Sequence, residues 1–150
     1  MWFELLEKIE KIESGYGEKL NSPIDLDKIK SLSQNETNEV KTFMEQEYSR
    51  FLTKVNGLDF NGCVLYGLKA DDSCSSEIYD FFEYNKIWHE VEENKRFVFI
   101  GENNISWFVC NPSNYEYLEL DMPSADVVEK FNSLDDLLES FLSDALECAS

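Results

Sequence analysis

The residues that could do chemistry are few and poorly placed to do it together. His89 is the only histidine in the 150-residue chain. A nucleophile-and-base pair needs a side chain that exchanges a proton near neutral pH. His89 follows Ile87-Trp88 in a stretch with helical spacing, so it reads as a partly exposed structural residue. There is no GxSxG elbow, no HExxH pair and no glycine-rich phosphate loop. Gly15 and Gly17 flank Tyr16 without a preceding strand and read as a helix stop. Cys63, Cys74, Cys110 and Cys148 form no CxxC pair, and one histidine is too little help to complete a zinc site. Free thiols with no metal and no cofactor are therefore expected. Acid pairs such as Asp71-Asp72 and Glu92-Glu93 must occur in a chain with 31 acidic residues. They match neither a calcium loop nor a glycosidase pair. These residues point away from an enzyme.

The charge says more about partners. The formal net charge is −18, and it is unevenly spread: residues 1–60 carry 12 acids and 8 bases, residues 61–150 carry 19 and 5. Such a surface repels nucleic-acid phosphates and anionic lipid headgroups, so neither nucleic acid nor membrane is an expected partner. It can attract and steer a basic protein, or it can simply keep the chain soluble, and both readings stand. An acidic surface that mimics DNA in another protein's phosphate cleft is a variant of the first. The opening MWFELLEKIEK has no basic lead-in and breaks its apolar residues with Glu and Lys, unlike a signal peptide. No apolar run approaches the roughly 18 residues of a membrane span. A cytoplasmic location with reduced thiols is the expectation.

The elements that must carry these residues follow from periodicity. Trp2, Leu5, Leu6, Ile9 and Ile12 recur at helical spacing up to Gly15. A short helix is expected around 25–32, after Pro23. Val40, Phe43, Met44, Tyr48, Phe51, Leu52 and Val55 form one continuous stripe over 36–55, with Asn56-Gly57 to end the helix. The period then changes. Residues 62–68 read as a strand, 71–76 as a polar loop, and 77–93 as helical turns closing near Asn94. Strands at 96–100, 105–110 and 115–120 are separated by Gly101–Asn104 and Asn111–Asn114, which are turn sequences and predict a meander of hairpins. Ser133 caps a final helix with Asp135 and Asp136 in its first turn and Leu134, Leu137, Leu138, Phe141, Leu142 and Ala145 on its buried side. The fold class expected is α+β, an antiparallel β-meander packed with N-terminal and C-terminal helices, in a single domain over 1–150.

Both faces of the expected strands are apolar. Phe97 and Phe99 alternate with Val98 and Ile100, and Ile105, Trp107 and Val109 alternate with Phe108 and Cys110. A half-wet antiparallel sheet would alternate with polar residues instead. Either helices or long loops cover both faces, or one face serves a partner.

The order of motifs resembles the SUKH superfamily, the Smi/Knr-type proteins, and within it a YrhA-like bacterial branch. The residues that carry the resemblance are FLTKVNG (51–57), LYG (65–67), an acidic loop, YDFFEYNKIW (79–88), FVFIGENN (97–104), FVCNPSNYEYLELD (108–121) and FNSLDDLLESFL (131–142). It spans about residues 40–142. It implies helices packed on an antiparallel sheet and no catalysis. In bacteria it implies an immunity protein that neutralises a toxin, often a nuclease, by direct contact; fungal relatives act as hubs in cell-wall regulation. Asn56, Gly57, Gly67, Asn85 and Gly101 fit structural caps and turns. A basic toxin domain would meet the acids and aromatics of the strand region: Asp71, Asp72, Glu102, Glu116, Glu119 and Asp121, with Trp107, Tyr115 and Tyr117 as anchors. A regulatory scaffold without a toxin, and a small-ligand binder with a pocket between sheet and helices, remain the alternatives.

Overall fold

A computed structural model describes residues 1–69 and 78–148, the side chain of Cys148 excepted. The helix α1 (Trp2–Gly15) buries Trp2, Leu6 and Ile9, and Leu5 and Ile12 of the stripe read from the sequence pack, partly buried, against the same core. Asp25 caps α2 (Leu26–Leu32), accepting from Lys28 N–H, and Thr37 does the same for Val40 at the start of α3 (Asn38–Phe43). The long stripe is not one uniform helix. A π-helical turn (Met44–Tyr48) joins α3 to α4 (Ser49–Leu52). Within it the Ser49 N–H reaches back five residues to Met44 O, and the Ser49 hydroxyl donates to Glu45 O at 2.8 Å. A serine that bonds its own preceding turn competes with the regular ladder. The stripe still buries Phe43, Met44, Tyr48, Phe51, Leu52 and Val55.

Six strands form one antiparallel meander in the order β1 to β6. They are β1 (Leu58–Phe60), β2 (Cys63–Leu65), β3 (Val98–Glu102), β4 (Ser106–Asn111), β5 (Glu116–Asp121) and β6 (Val127–Phe131). Strand β3 runs through Gly101 and Glu102, which the sequence read as turn. A bulge between Phe99 and Gly101 shifts the register. A β-carbon at Gly101 would lie 2.4 Å from Val64 O, so glycine there permits the approach of β2. The turn itself begins at Asn103, whose side chain accepts from Ile105 N–H and Ser106 N–H at 2.9 and 2.8 Å.

Asn56-Gly57 does not end the helix, which stops at Leu52. Gly57 is left-handed, with φ 82°, but its work lies elsewhere. A β-carbon on it would sit 3.0 Å from Gly67 N. The two glycines let the Asn56 side chain pair both backbone groups of Leu68, at 2.7 Å each. Asn85 does the same one layer on. Its amide accepts from Phe99 N–H at 2.7 Å and donates to Phe99 O at 2.9 Å, standing in for a strand where β2 has ended.

Asn85 belongs to α5 (Phe81–Trp88), which starts at the cap Asp80. It is shorter than the helical stretch read over 77–93, because the Asn94 side chain donates to Trp88 O at 3.0 Å and closes it; a 3-10 turn (Glu92–Arg96) follows. The closing helix α6 (Leu134–Cys148) is capped by Ser133, whose hydroxyl accepts from Asp136 N–H at 3.1 Å. Helices cover both faces at β4. Phe108 packs edge-on against Phe141 of α6 at 4.9 Å, and Trp107 on the opposite face packs against Trp88 of α5 at 5.2 Å. The apolar double face is thus core around β3 and β4. No helix among the described residues is long and apolar enough to cross a membrane.

Candidate functional site

The expected partner residues do not form one surface. Asp71 and Asp72 lie outside the described residues. Trp107 is 5% exposed and Tyr117 is 3% exposed, so neither ring is an open anchor, contrary to the sequence reading. The physical reason is alternation: Trp107 faces α5 and Tyr117 faces the π turn, and both sides are roofed. Tyr117 donates its hydroxyl to Glu47 Oε1 at 2.9 Å. Burial first, then Cys110 and Glu47, push its phenol well above the ordinary range.

The acids divide likewise. Glu102 is the register partner of Trp107 and is half-buried. Desolvation raises its carboxyl, and a hydrogen bond from Tyr66 opposes that rise. Glu119 is half-buried and accepts from the Ser106 hydroxyl at 2.7 Å. Glu116 points to the other face, paired with Lys130; its bonds to Lys130 and Asn114 hold its carboxyl below the usual range. Asp121 accepts from the Ser124 hydroxyl at 2.8 Å in the β5–β6 loop. Tyr115 alone among the three aromatic candidates is exposed, at 42%.

Two concavities accompany these residues. The first is a shallow notch of about 400 Å³ at the β4–β5 hairpin, where Tyr115 and Tyr117 meet Gln46 and Glu47 of the π turn and Asn132 beyond β6. Gln46 and Glu47 fall between the apolar residues of the long stripe, and nothing in the sequence singles them out. The second, of about 380 Å³, lies between α3, α5 and β3. Phe81, Phe82 and Phe97 line it, with Glu36 and Glu39 from one side and Lys86 and His89 from the other. His89 donates Nε2–H to Phe97 O at 2.7 Å, which ties the ring to the backbone.

No family model matches the chain, and no curated protein matches it. Cys63 and Cys110 are buried thiols, and burial pushes Cys110 up to about 12. Among the described residues no group of three or more His, Cys, Asp or Glu could hold a metal ion.

Proposed function

We propose that the protein is a non-catalytic binding module of the immunity type, acting in the cytosol by direct contact with a basic toxin domain. The carrying observation is charge that the chain does not neutralise itself. Residues 61–150 hold 19 acids against 5 bases, and Lys69, Lys95 and Lys130 are already engaged by Glu83, Glu92 and Glu116. A field of this sign raises the encounter rate of a cationic partner and selects against anionic ones. The SUKH-like order of motifs supports the toxin as that partner.

The test is to capture the partner from native cells and measure binding kinetics across a salt series. Reversing Asp71 and Asp72 to Lys should slow association and flatten its salt dependence, with folding unchanged. Association that ignores both salt and the reversal would mean that the acids serve solubility alone. A captured partner without toxic activity would make the protein a regulatory scaffold instead.

A second reading, a small-ligand binder, draws on the aromatic-lined cleft. Its volume of about 380 Å³ falls in the common range for ligand sites, roughly 300–1,000 Å³. A ligand that raises the melting temperature and loses that effect in Lys86→Met would favour it.

A further inference from the structure

The notch at the β4–β5 hairpin carries a more specific chemistry than general acidity. Its outer wall is the π turn, which places Gln46 and Glu47 on the rim. Such turns insert an extra residue and re-aim side chains, and they recur at functional sites. The facing wall is Tyr115, held at φ 54°. That left-handed conformation disfavours any β-carbon and normally falls to Gly or Asn. The tyrosine there is 42% exposed, so deep packing does not account for a side chain in this conformation.

The charge between the walls is only loosely met from within. Glu47 gives Oε1 to the Tyr117 hydroxyl at 2.9 Å. Arg50 pairs with it at 3.8 Å while bonding more closely to Asp135 at 3.1 Å. Burial first, and the nearby carboxylates of Glu47 and Glu39 after it, push the Tyr115 phenol up, and Glu47 lines the same notch, so the exposed ring sits beside negative charge. A ring face, a carboxylate and amide oxygens around a concavity suit a planar cation with many donors. A guanidinium stacks on the ring while its N–H fork reaches the acceptors; an ammonium can do only one of these well.

We propose that this notch receives one arginine side chain of the partner, its guanidinium lying on the Tyr115 ring and donating to Glu47. The proposal rests on the protein-binding reading and adds the chemistry of the anchor. An aromatic side chain at that position completes the notch, which gives the strained Tyr115 a role.

The experiment titrates isotope-labelled protein with acetyl-Gly-Arg-Gly-amide and with its lysine and citrulline counterparts, following amide shifts. Shifts should centre on Gln46, Glu47, Tyr115 and Asn132, be stronger for arginine than lysine, and vanish for citrulline. Tyr115→Asn and Glu47→Gln should each weaken the arginine peptide at least tenfold. Tyr115→Phe should bind like the parent, and Tyr115→Asn should melt no lower than it. Shifts scattered over all acidic surfaces, equal response to citrulline, or binding indifferent to Tyr115→Asn would overturn the proposal. The two readings fail separately. A localised arginine site with no captured protein partner would remove the module reading, whereas a captured partner indifferent to Tyr115→Asn would remove the anchor.

Discussion

Replacing Asn85 with Ala tests whether a side chain can substitute for a strand. Strand β2 ends at Leu65, and beyond it the backbone of Phe99 is served by Asn85, at 2.7 Å to its N–H and 2.9 Å to its carbonyl. Asn85 and Phe99 are both buried. Alanine would strand one donor and one acceptor, each costing about 1–3 kcal/mol. The sum is about 2–6 kcal/mol, against a whole-domain stability of roughly 5–15 kcal/mol. Equilibrium urea unfolding reads the loss, with an unchanged m value certifying that the denatured state is comparable. Asn85→Asp supplies a second arm. It keeps an acceptor for the Phe99 N–H but gives up both amide donors and buries a carboxylate. That carboxyl would hold its proton more tightly folded than unfolded, so the variant should regain stability as pH falls. A loss below about 1 kcal/mol in Asn85→Ala would show that water replaces the amide, and the strand-substitution argument would fail.

Three further outcomes are expected. Phe51 is fully buried in the helical stripe, so Phe51→Ala should cost about 3–5 kcal/mol by chemical unfolding, while a loss under about 0.5 would mean that the wrong face is inside. Cys110, pushed up to about 12 by burial, should resist a thiol reagent at pH 8 in the native protein and react on denaturation; one zinc per chain or a stable disulfide would contradict the free-thiol reading. Glu102 is raised by desolvation, so its folded form favours the proton, and the stability it lends at acidic pH is lost as pH rises through the folded value. Glu102→Gln should therefore melt higher than the parent at pH 7, with the gain shrinking at acidic pH; a variant that melts lower at pH 7 would put the Tyr66 contact above desolvation.

Much of the fold is legible because period and turn chemistry agree. The three central strands and both terminal helices follow from apolar spacing, Asn-rich turns and the Ser133 cap, each a local signal. What escaped is set by contacts distant in sequence. Strand β6 carries Val127 and Val128 at 59% and 58% exposure, so it has no buried alternation to read; pairing with β5 makes it a strand. Strand β1 is three residues long, too short for any period. The π turn hides inside a flawless helical stripe because the stripe records which residues are buried, not how many lie in each turn. Gly101 looks like a turn residue until Val64 O is known to approach its α-carbon.

The candidate site was less legible, and for one reason. Trp107, Tyr115 and Tyr117 are equivalent to a reading by composition: aromatic, near acids, on or beside strands. Alternation sends Trp107 and Tyr117 to opposite faces of the sheet, yet whether a face is wet depends on α5 and α6, which reach it from elsewhere in the chain. Trp88 roofs one ring and Glu47 binds the other. Tyr115 escapes because it occupies the hairpin turn, at φ 54°, where the pleat no longer dictates direction. The acids obey the same rule, Glu119 turning toward Ser106 and Glu116 outward to Lys130. Counting charge therefore cannot tell these positions apart, because the packing of distant elements and the backbone conformation at a single turn residue decide which of them is exposed.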